Sequence, residues 1–193
     1  MPQELEIEFK NMLTKEEYEQ LILHFQLKSD AFHLQHNHYF DTADNALRAV
    51  RSGLRIRQLN DRNELTLKEP ANGIALTETT DSLTNEQVKA VLENEQSIPA
   101  IDVLKRLEAL EISIDHLQKI GTLSTTRAEI EYRGGLLVLD HSQYANQEDY
   151  ELEYEVTDEA TGRVIFMELL QDCQIPVRPA QKKLARFMQA IKR

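Results

Sequence analysis

Apolar and charged residues alternate along residues 4–10, ELEIEFK, with Leu5, Ile7 and Phe9 on one parity and Glu4, Glu6, Glu8 and Lys10 on the other. Successive side chains of a strand point to opposite faces, so the stretch predicts a strand with one apolar and one charged face. The same parity returns further along. Arg55 and Arg57 alternate with Leu54 and Ile56; Glu64, Thr66 and Lys68 with Leu65 and Leu67; Arg127, Glu129, Glu131 and Arg133 with Ala128, Ile130 and Tyr132; Glu151, Glu153 and Glu155 with Leu152, Tyr154 and Val156. FHLQHNHYFDT at 32–42 and IALTETT at 74–80 read as further strands.

Helical periodicity separates these strands. Thr14 with Glu17, and Thr84 with Gln87, have the spacing of a capping box and predict helices running to about Phe25 and Asn94. Residues 100–110, 164–173 and 180–193 are amphipathic as well, the last with Pro179 near its first turn. The polar NDRN at 60–63 joins two strands, and Gly134-Gly135 predicts a two-residue hairpin turn. No Gly/Ser/Pro-rich linker interrupts the chain, so one α+β domain over residues 1–193 is expected.

A face turned to water explains any one of these strands. Solvent faces usually mix Thr, Ser, Lys and Gln, however, and these hold mainly Glu, Arg and Lys. The amphipathic helices also need an apolar sheet face to cover. If they pack outside, the charged faces turn inward, and such a sheet can close into a barrel around a polar channel.

At 193 residues, 41% hydrophobic and 28% charged, the chain has the make-up of a folded globular protein. Its formal net charge of −11 argues against nucleic acid as a partner. The amino terminus MPQELEIEF shows neither the basic region of a signal peptide nor a membrane-spanning apolar run, so a cytoplasmic protein without membrane contact is expected. The single cysteine, Cys173, lies among Leu169, Leu170 and Ile175 and reads as a buried thiol.

Charge gathered on inward faces must be paired or bound to something. Neighbouring carboxylates call for divalent cations, with hard oxygen ligands suiting Mg²⁺ or Mn²⁺. Arginines and lysines in the same cavity call for an anion rich in oxygens. A polyphosphate carrying its metal satisfies both.

The motifs resemble, in order, those of the CYTH proteins, also called triphosphate tunnel metalloenzymes. Their hallmark ExExK on the first strand is matched by Glu6, Glu8 and Lys10; YFDT at 39–42, LRIR at 54–57, TLK at 66–68, TTR at 125–127, LD at 139–140, ELEYE at 151–155 and KKLARF at 182–187 follow. ExExK alone is a weak pattern; the ordered set is specific. The resemblance implies a closed eight-stranded antiparallel tunnel with a charged interior and helices outside. It implies metal ligation by Glu6, Glu8, Glu151 and Glu153, and phosphate binding by Arg55, Arg57, Lys68, Arg127 and Lys183. As catalytic residues it implies Lys10, which would help place the reacting end, Glu8, and Asp140, which would support a metal or its water. Glu78 is a supporting candidate, Arg186 is the second basic residue of the last helix, and helix register decides between Lys182 and Lys183. Glu4, Glu129, Glu131, Arg133 and Glu155 are expected at the mouths or in structural ion pairs.

His33, His36 and His38 invite a zinc site, but in a strand only His36 and His38 share a face and no cysteine is near. Neither a GxSxG nucleophile elbow nor a glycine-rich phosphate loop occurs. Three functions fit: a metal-dependent triphosphatase first, an adenylate cyclase second, and a triphosphate-binding module without catalysis third. The partner is in each case a triphosphate-containing small molecule, and the chain a monomer or homodimer.

Overall fold

Strand β1 (Gln3–Leu13) gives way to helix α1 (Lys15–His24) at Thr14, whose hydroxyl accepts from the Glu17 amide while the Glu17 carboxylate accepts from the Thr14 amide. The predicted capping box is thus formed, and Thr84 with Gln87 repeats it at α3 (Asn85–Leu92). The computed structural model describes residues 3–93 and 97–191. Asn94 and residues 192–193, at the ends of two predicted helices, lie outside the described residues. The remaining strands are β2 (Phe32–Thr42), β3 (Gly53–Gln58), β4 (Asn63–Pro70), β5 (Leu76–Leu83), β6 (Leu117–Tyr132), β7 (Gly135–Tyr144) and β8 (Gln147–Val156). The other helices are α2 (Ala46–Ala49), α4 (Asp102–Ala109), α5 (Glu159–Asp172) and α6 (Lys183–Ala190). The strands form a closed antiparallel barrel in the order β1-β5-β4-β3-β2-β6-β7-β8.

The chain divides into two compact units, Met1–Leu5 with Gln35–Leu123, and Glu6–Leu34 with Ser124–Arg193. Each has its own core. In the first, Leu54, Ile56, Leu65 and Leu67 of β3 and β4 pack with Val88 and Val91 of α3 and with Val103 and Leu107 of α4. In the second, Ala128, Leu137, Leu139, Leu152 and Tyr154 pack with Leu21 of α1 and with Ile165, Phe166 and Leu169 of α5. The helices therefore cover the apolar strand faces in both units, as the alternation requires. Cys173 is buried in the second core. No helix among the described residues is long and apolar enough to cross a membrane.

At three places a departure from the sequence pattern has a cause in named contacts. Helix α5 begins at Glu159, earlier than expected, because the Asp158 carboxylate accepts from the Thr161 amide at 2.8 Å and caps it. Helix α6 begins at Lys183, later than expected. The Arg178 amide donates to Asn11 Oδ1 (2.6 Å), the Met12 amide to the Arg178 carbonyl (3.1 Å), and Pro179 bridges Asn11, so this segment stays extended along β1. The third difference is the β6–β7 turn. Its two residues are Arg133 and Gly134, both at positive φ (46° and 85°), while Gly135 pairs with Tyr132 as the first residue of β7. Arg133 consequently leaves the charged strand face and pairs with Glu168 of α5 at 2.7 Å.

A Cβ on Gly135 would meet the Glu155 carbonyl at 2.6 Å and the Tyr154 ring at 2.7 Å, whereas one on Gly134 would meet nothing within 4 Å. Gly135→Ala should therefore destabilise the fold by about 1–3 kcal/mol. Gly134→Asn, which keeps a residue tolerant of positive φ, should cost well under that. Denaturant midpoints of the two variants in the reverse order would contradict this assignment of the turn.

Candidate functional site

The pairing of β1 with β8 sets Glu8 opposite Glu155, Lys10 opposite Glu153 and Met12 opposite Glu151. Lys10 and Glu153 attract. Glu8 and Glu155 repel, and like charges directly opposite on neighbouring strands destabilise a sheet. Glu6, two residues before Glu8 on the same face, joins them: Glu6, Glu8 and Glu155, all half-buried, each offer a carboxylate oxygen, and these oxygens lie within 4.8 Å of one another. Three oxygen donors so placed fit a hard divalent cation, which would convert the repulsion into ligation.

Next to this triad lies a network of a different kind. The Lys10 ammonium donates to Glu153 at 2.8 Å and stands 3.1 Å from Glu8. Arg127 donates through Nε and Nη2 to the two Asp140 oxygens (2.8 and 2.7 Å), and through Nη2 to Glu153 at 3.0 Å. Lys183, first residue of α6, pairs with Asp140 and stands 3.3 Å from Glu153 and 3.4 Å from Glu151. Asp140, Glu151 and Glu153 are buried. Burial alone would raise the Glu153 carboxyl, but Lys10, Lys183 and Arg127 outweigh it and hold it well below the usual carboxylate range. Asp140 is likewise depressed, burial being overcome by Arg127 and Lys183. Burial would lower the Lys183 ammonium, yet Asp140, Glu153 and Glu151 drive it up.

In the first unit, Arg55 and Arg57 stand on the β3 face opposite Leu54 and Ile56, half-buried, with Tyr39 and Asn37 of β2 as their cross-strand partners. Asn37 is buried and accepts from Arg57 Nε at 3.2 Å. Across β4, Lys68 pairs with Glu78 of β5, so Glu78 belongs to the basic face although Leu76 has the same parity. His38 faces the other way, beside Ile56 in register, and its ring nitrogens contact Gln58 (2.7 Å) and Thr122 (2.9 Å).

The structure thus brings Glu6 and Glu8 together as expected, but with Glu155 instead of Glu151 or Glu153 as their neighbour within ligand distance. Asp140, expected to act beside a metal, has both oxygens taken by Arg127 and Lys183. Lys183 reaches the buried carboxylates, and Lys182, the residue before the helix, is exposed. Glu129 and Glu131 are exposed, in keeping with a place at a mouth. Parity alone already set Glu155 on the face of Glu153; what sequence could not supply was the β1–β8 register that brings it opposite Glu8. The charged face is also interrupted, since Leu136 and Val138 of β7 lie opposite Glu155 and Glu153.

A family model for the CYTH domain matches residues 4–188, a span that runs through both units. The "Putative triphosphatase YjbK" of Bacillus subtilis (strain 168) is 46% identical over 187 residues, covering 97% of this chain and 96% of that protein. The crystal structure of a "putative adenylate cyclase" from Bacillus halodurans is 42% identical with a TM-score of 0.91, over 97% of this chain and 99% of that one. HpAC1 from Hippeastrum, a "putative adenylyl cyclase" with a dominant triphosphatase activity, shares the fold at 24% identity and a TM-score of 0.81, over 96% and 95% of the two chains.

Because the Asp140 and Glu153 carboxyls are depressed, their stabilisation is present in full above the unfolded carboxylate range and is lost as pH falls through their folded values. Glu153→Gln should be less stable than wild type at neutral pH by about 3–5 kcal/mol, since Lys10, Lys183 and Arg127 lose a buried partner. It should also lose less of its remaining stability than wild type between about pH 5 and pH 3, because one titrating group is gone. Melting curves across that range check both; an acid limb as steep as wild type would remove Glu153 from the account.

Proposed function

The chain belongs to the CYTH domain family, and from that membership we propose that it is a divalent-metal-dependent hydrolase of a triphosphate. The observation that carries the reading is the half-buried triad of Glu6, Glu8 and Glu155, beside Lys10, Arg127 and Lys183 already held in place by buried carboxylates. The 46% identity to a relative described as a triphosphatase supports it. Glu6, Glu8 and Glu155 would hold Mg²⁺ or Mn²⁺. When bound, such a cation neutralises phosphate oxygens and acts as a Lewis acid toward the phosphoryl group.

The chain's own residues have distinct tasks in this reading. Arg55, Arg57 and Lys68 bind phosphate oxygens, with Asn37 fixing the Arg57 guanidinium through Nε. Lys10, held between Glu8 and Glu153, faces the reacting phosphoryl group and spreads the negative charge that develops as water attacks phosphorus and the bond to the leaving diphosphate breaks. Glu8 orients that water and receives its proton. Asp140 and Glu153 keep Arg127 and Lys183 charged and aligned, so that little reorganisation is needed during the reaction. Glu151 pairs through Oε2 with the basic residues of α6, and its buried Oε1, which accepts no hydrogen bond, is the oxygen it has to offer a cation.

A second reading, cyclisation of ATP, draws on the 42% identity to a protein described as an adenylate cyclase. Here the ribose 3′-hydroxyl replaces water and pyrophosphate leaves. Incubation with inorganic triphosphate, thiamine triphosphate and ATP, each with Mg²⁺ or Mn²⁺, separates the cases. Orthophosphate release supports hydrolysis and cyclic AMP with pyrophosphate supports cyclisation. No product from any substrate, with binding intact, leaves only a binding module.

Charge sign should sort the variants. Glu6→Gln keeps the shape of a ligand but loses its charge, so turnover should fall and recover partly at high Mn²⁺. Arg57→Ala removes a charge-assisted contact worth about 1.5–3 kcal/mol, or roughly ten- to a hundredfold in kcat/KM, with no recovery on adding metal. Equal metal dependence in the two variants would remove the mechanistic basis of the reading.

A further inference from the structure

Helix α6 spans only Lys183–Ala190, and no side chain caps its first turn. So short a helix does not hold its position by itself. Arg186, one turn after Lys183, ties it to β8. Its Nε donates to Asp149 Oδ2 at 2.9 Å, its Nη2 to Glu151 Oε2 at 2.5 Å and to Asp149 Oδ1 at 3.4 Å, and its Nη1 to the Gln181 carbonyl. Tyr144 completes the clamp by donating its hydroxyl to Asp149 Oδ2 at 2.5 Å, while its ring meets the buried Phe187 edge-on at 6.0 Å. The Glu151 oxygen bonded to Arg186 is also the one 3.4 Å from the Lys183 ammonium.

All three guanidinium nitrogens of Arg186 thus have acceptors within the protein. We propose that Arg186, with Asp149 and Tyr144, is a positioning residue for the reaction: it fixes the first turn of α6 so that Lys183 stands over Asp140, Glu151 and Glu153. The planar fork is essential, because one group must span Asp149, Glu151 and the chain just before the helix. The inference rests on the triphosphatase reading for its kinetic consequence, but its structural content can be read without turnover.

The test has two arms. In the first, exposed-amine acetylation followed by peptide mass spectrometry reads the accessibility of Lys183 in the full chain. Arg186→Gln should raise Lys183 labelling on the order of tenfold, Arg186→Lys and the milder Tyr144→Phe should raise it less, and the exposed Lys15 and Lys89 should not change. Lys183 labelling equal to wild type in a folded Arg186→Gln variant overturns the proposal. In the second arm, phosphate release is measured in a double-mutant cycle. Arg186→Gln alone should lower kcat/KM roughly ten- to a hundredfold, as displacement of a reacting group does, and should cost nothing more in a Lys183→Ala background. Additive losses would mean that Arg186 acts independently of Lys183 and would also overturn it. If wild type releases no phosphate, the triphosphatase reading fails, and the labelling arm still decides the role of Arg186.

Discussion

Asp140, Glu151 and Glu153 are carboxylates withdrawn from water, and a buried charge persists only when an opposite charge with good geometry compensates its lost hydration. Much of the second unit follows from meeting that condition. The compensating groups come from separate parts of the chain: Lys10 from β1, Arg127 from β6, Lys183 and Arg186 from α6. Each is aimed by its neighbours, and none can move far without stranding a carboxylate. The hairpin of β7 and β8 carries the acids, and the elements around it are held in register by the cations they contribute. The extended segment at Arg178 and Pro179, locked to Asn11 of β1, sets the point from which α6 can deliver its lysine.

Two sets of carboxylates on the paired strands β1 and β8 therefore differ in kind. Glu153 is neutralised from within, whereas Glu151 pairs with Lys183 and Arg186 through Oε2 while its buried Oε1 accepts no hydrogen bond. Glu8 and Glu155 face each other across β1 and β8 with Glu6 beside them, half-buried, where mutual repulsion favours any divalent cation that arrives. Lys10, Arg127, Lys183 and Arg186 are fixed by carboxylate partners, and Glu6, Glu8 and Glu155 are the acids whose oxygens lie close enough together to share a cation. Arginine at 127 and 186 is suited to the fixed role because its fork engages two acceptors at once.

The first unit solves a simpler problem. Its outer faces are apolar and covered by α3 and α4, and Asp81 of β5 receives the amides of Ile101, Asp102 and Val103, which ties the start of α4 to the sheet. Glu69 binds Arg106 of the same helix through two bonds of 2.9 Å. These contacts keep β3 and β4 rigid under Arg55, Arg57 and Lys68, the residues that would meet the phosphates.

The strand parities, the capped starts of α1 and α3 and the inward direction of the charge were legible because alternation, capping and amphipathicity act over a few residues. Those patterns, with the ordered motifs of the family, already named Glu6, Glu8, Lys10, Arg55, Arg57, Lys68, Arg127, Asp140, Glu151, Glu153 and Lys183 as candidates. The start of α5 was legible in principle through Asp158 and Thr161, a cap that hydrophobic periodicity alone overlooks. The β6–β7 turn shifted by one residue, because the close approach of Glu155 and Tyr154 reserves Gly135 for the strand. Local sequence carries no term for which residue stands opposite which across β1 and β8. That register, fixed by the packing of both strand faces at once, decided that Glu155 joins Glu6 and Glu8 while Glu153 binds Lys10, and the anchoring of Arg178 on Asn11 decided where α6 begins and hence that Lys183 reaches the buried acids.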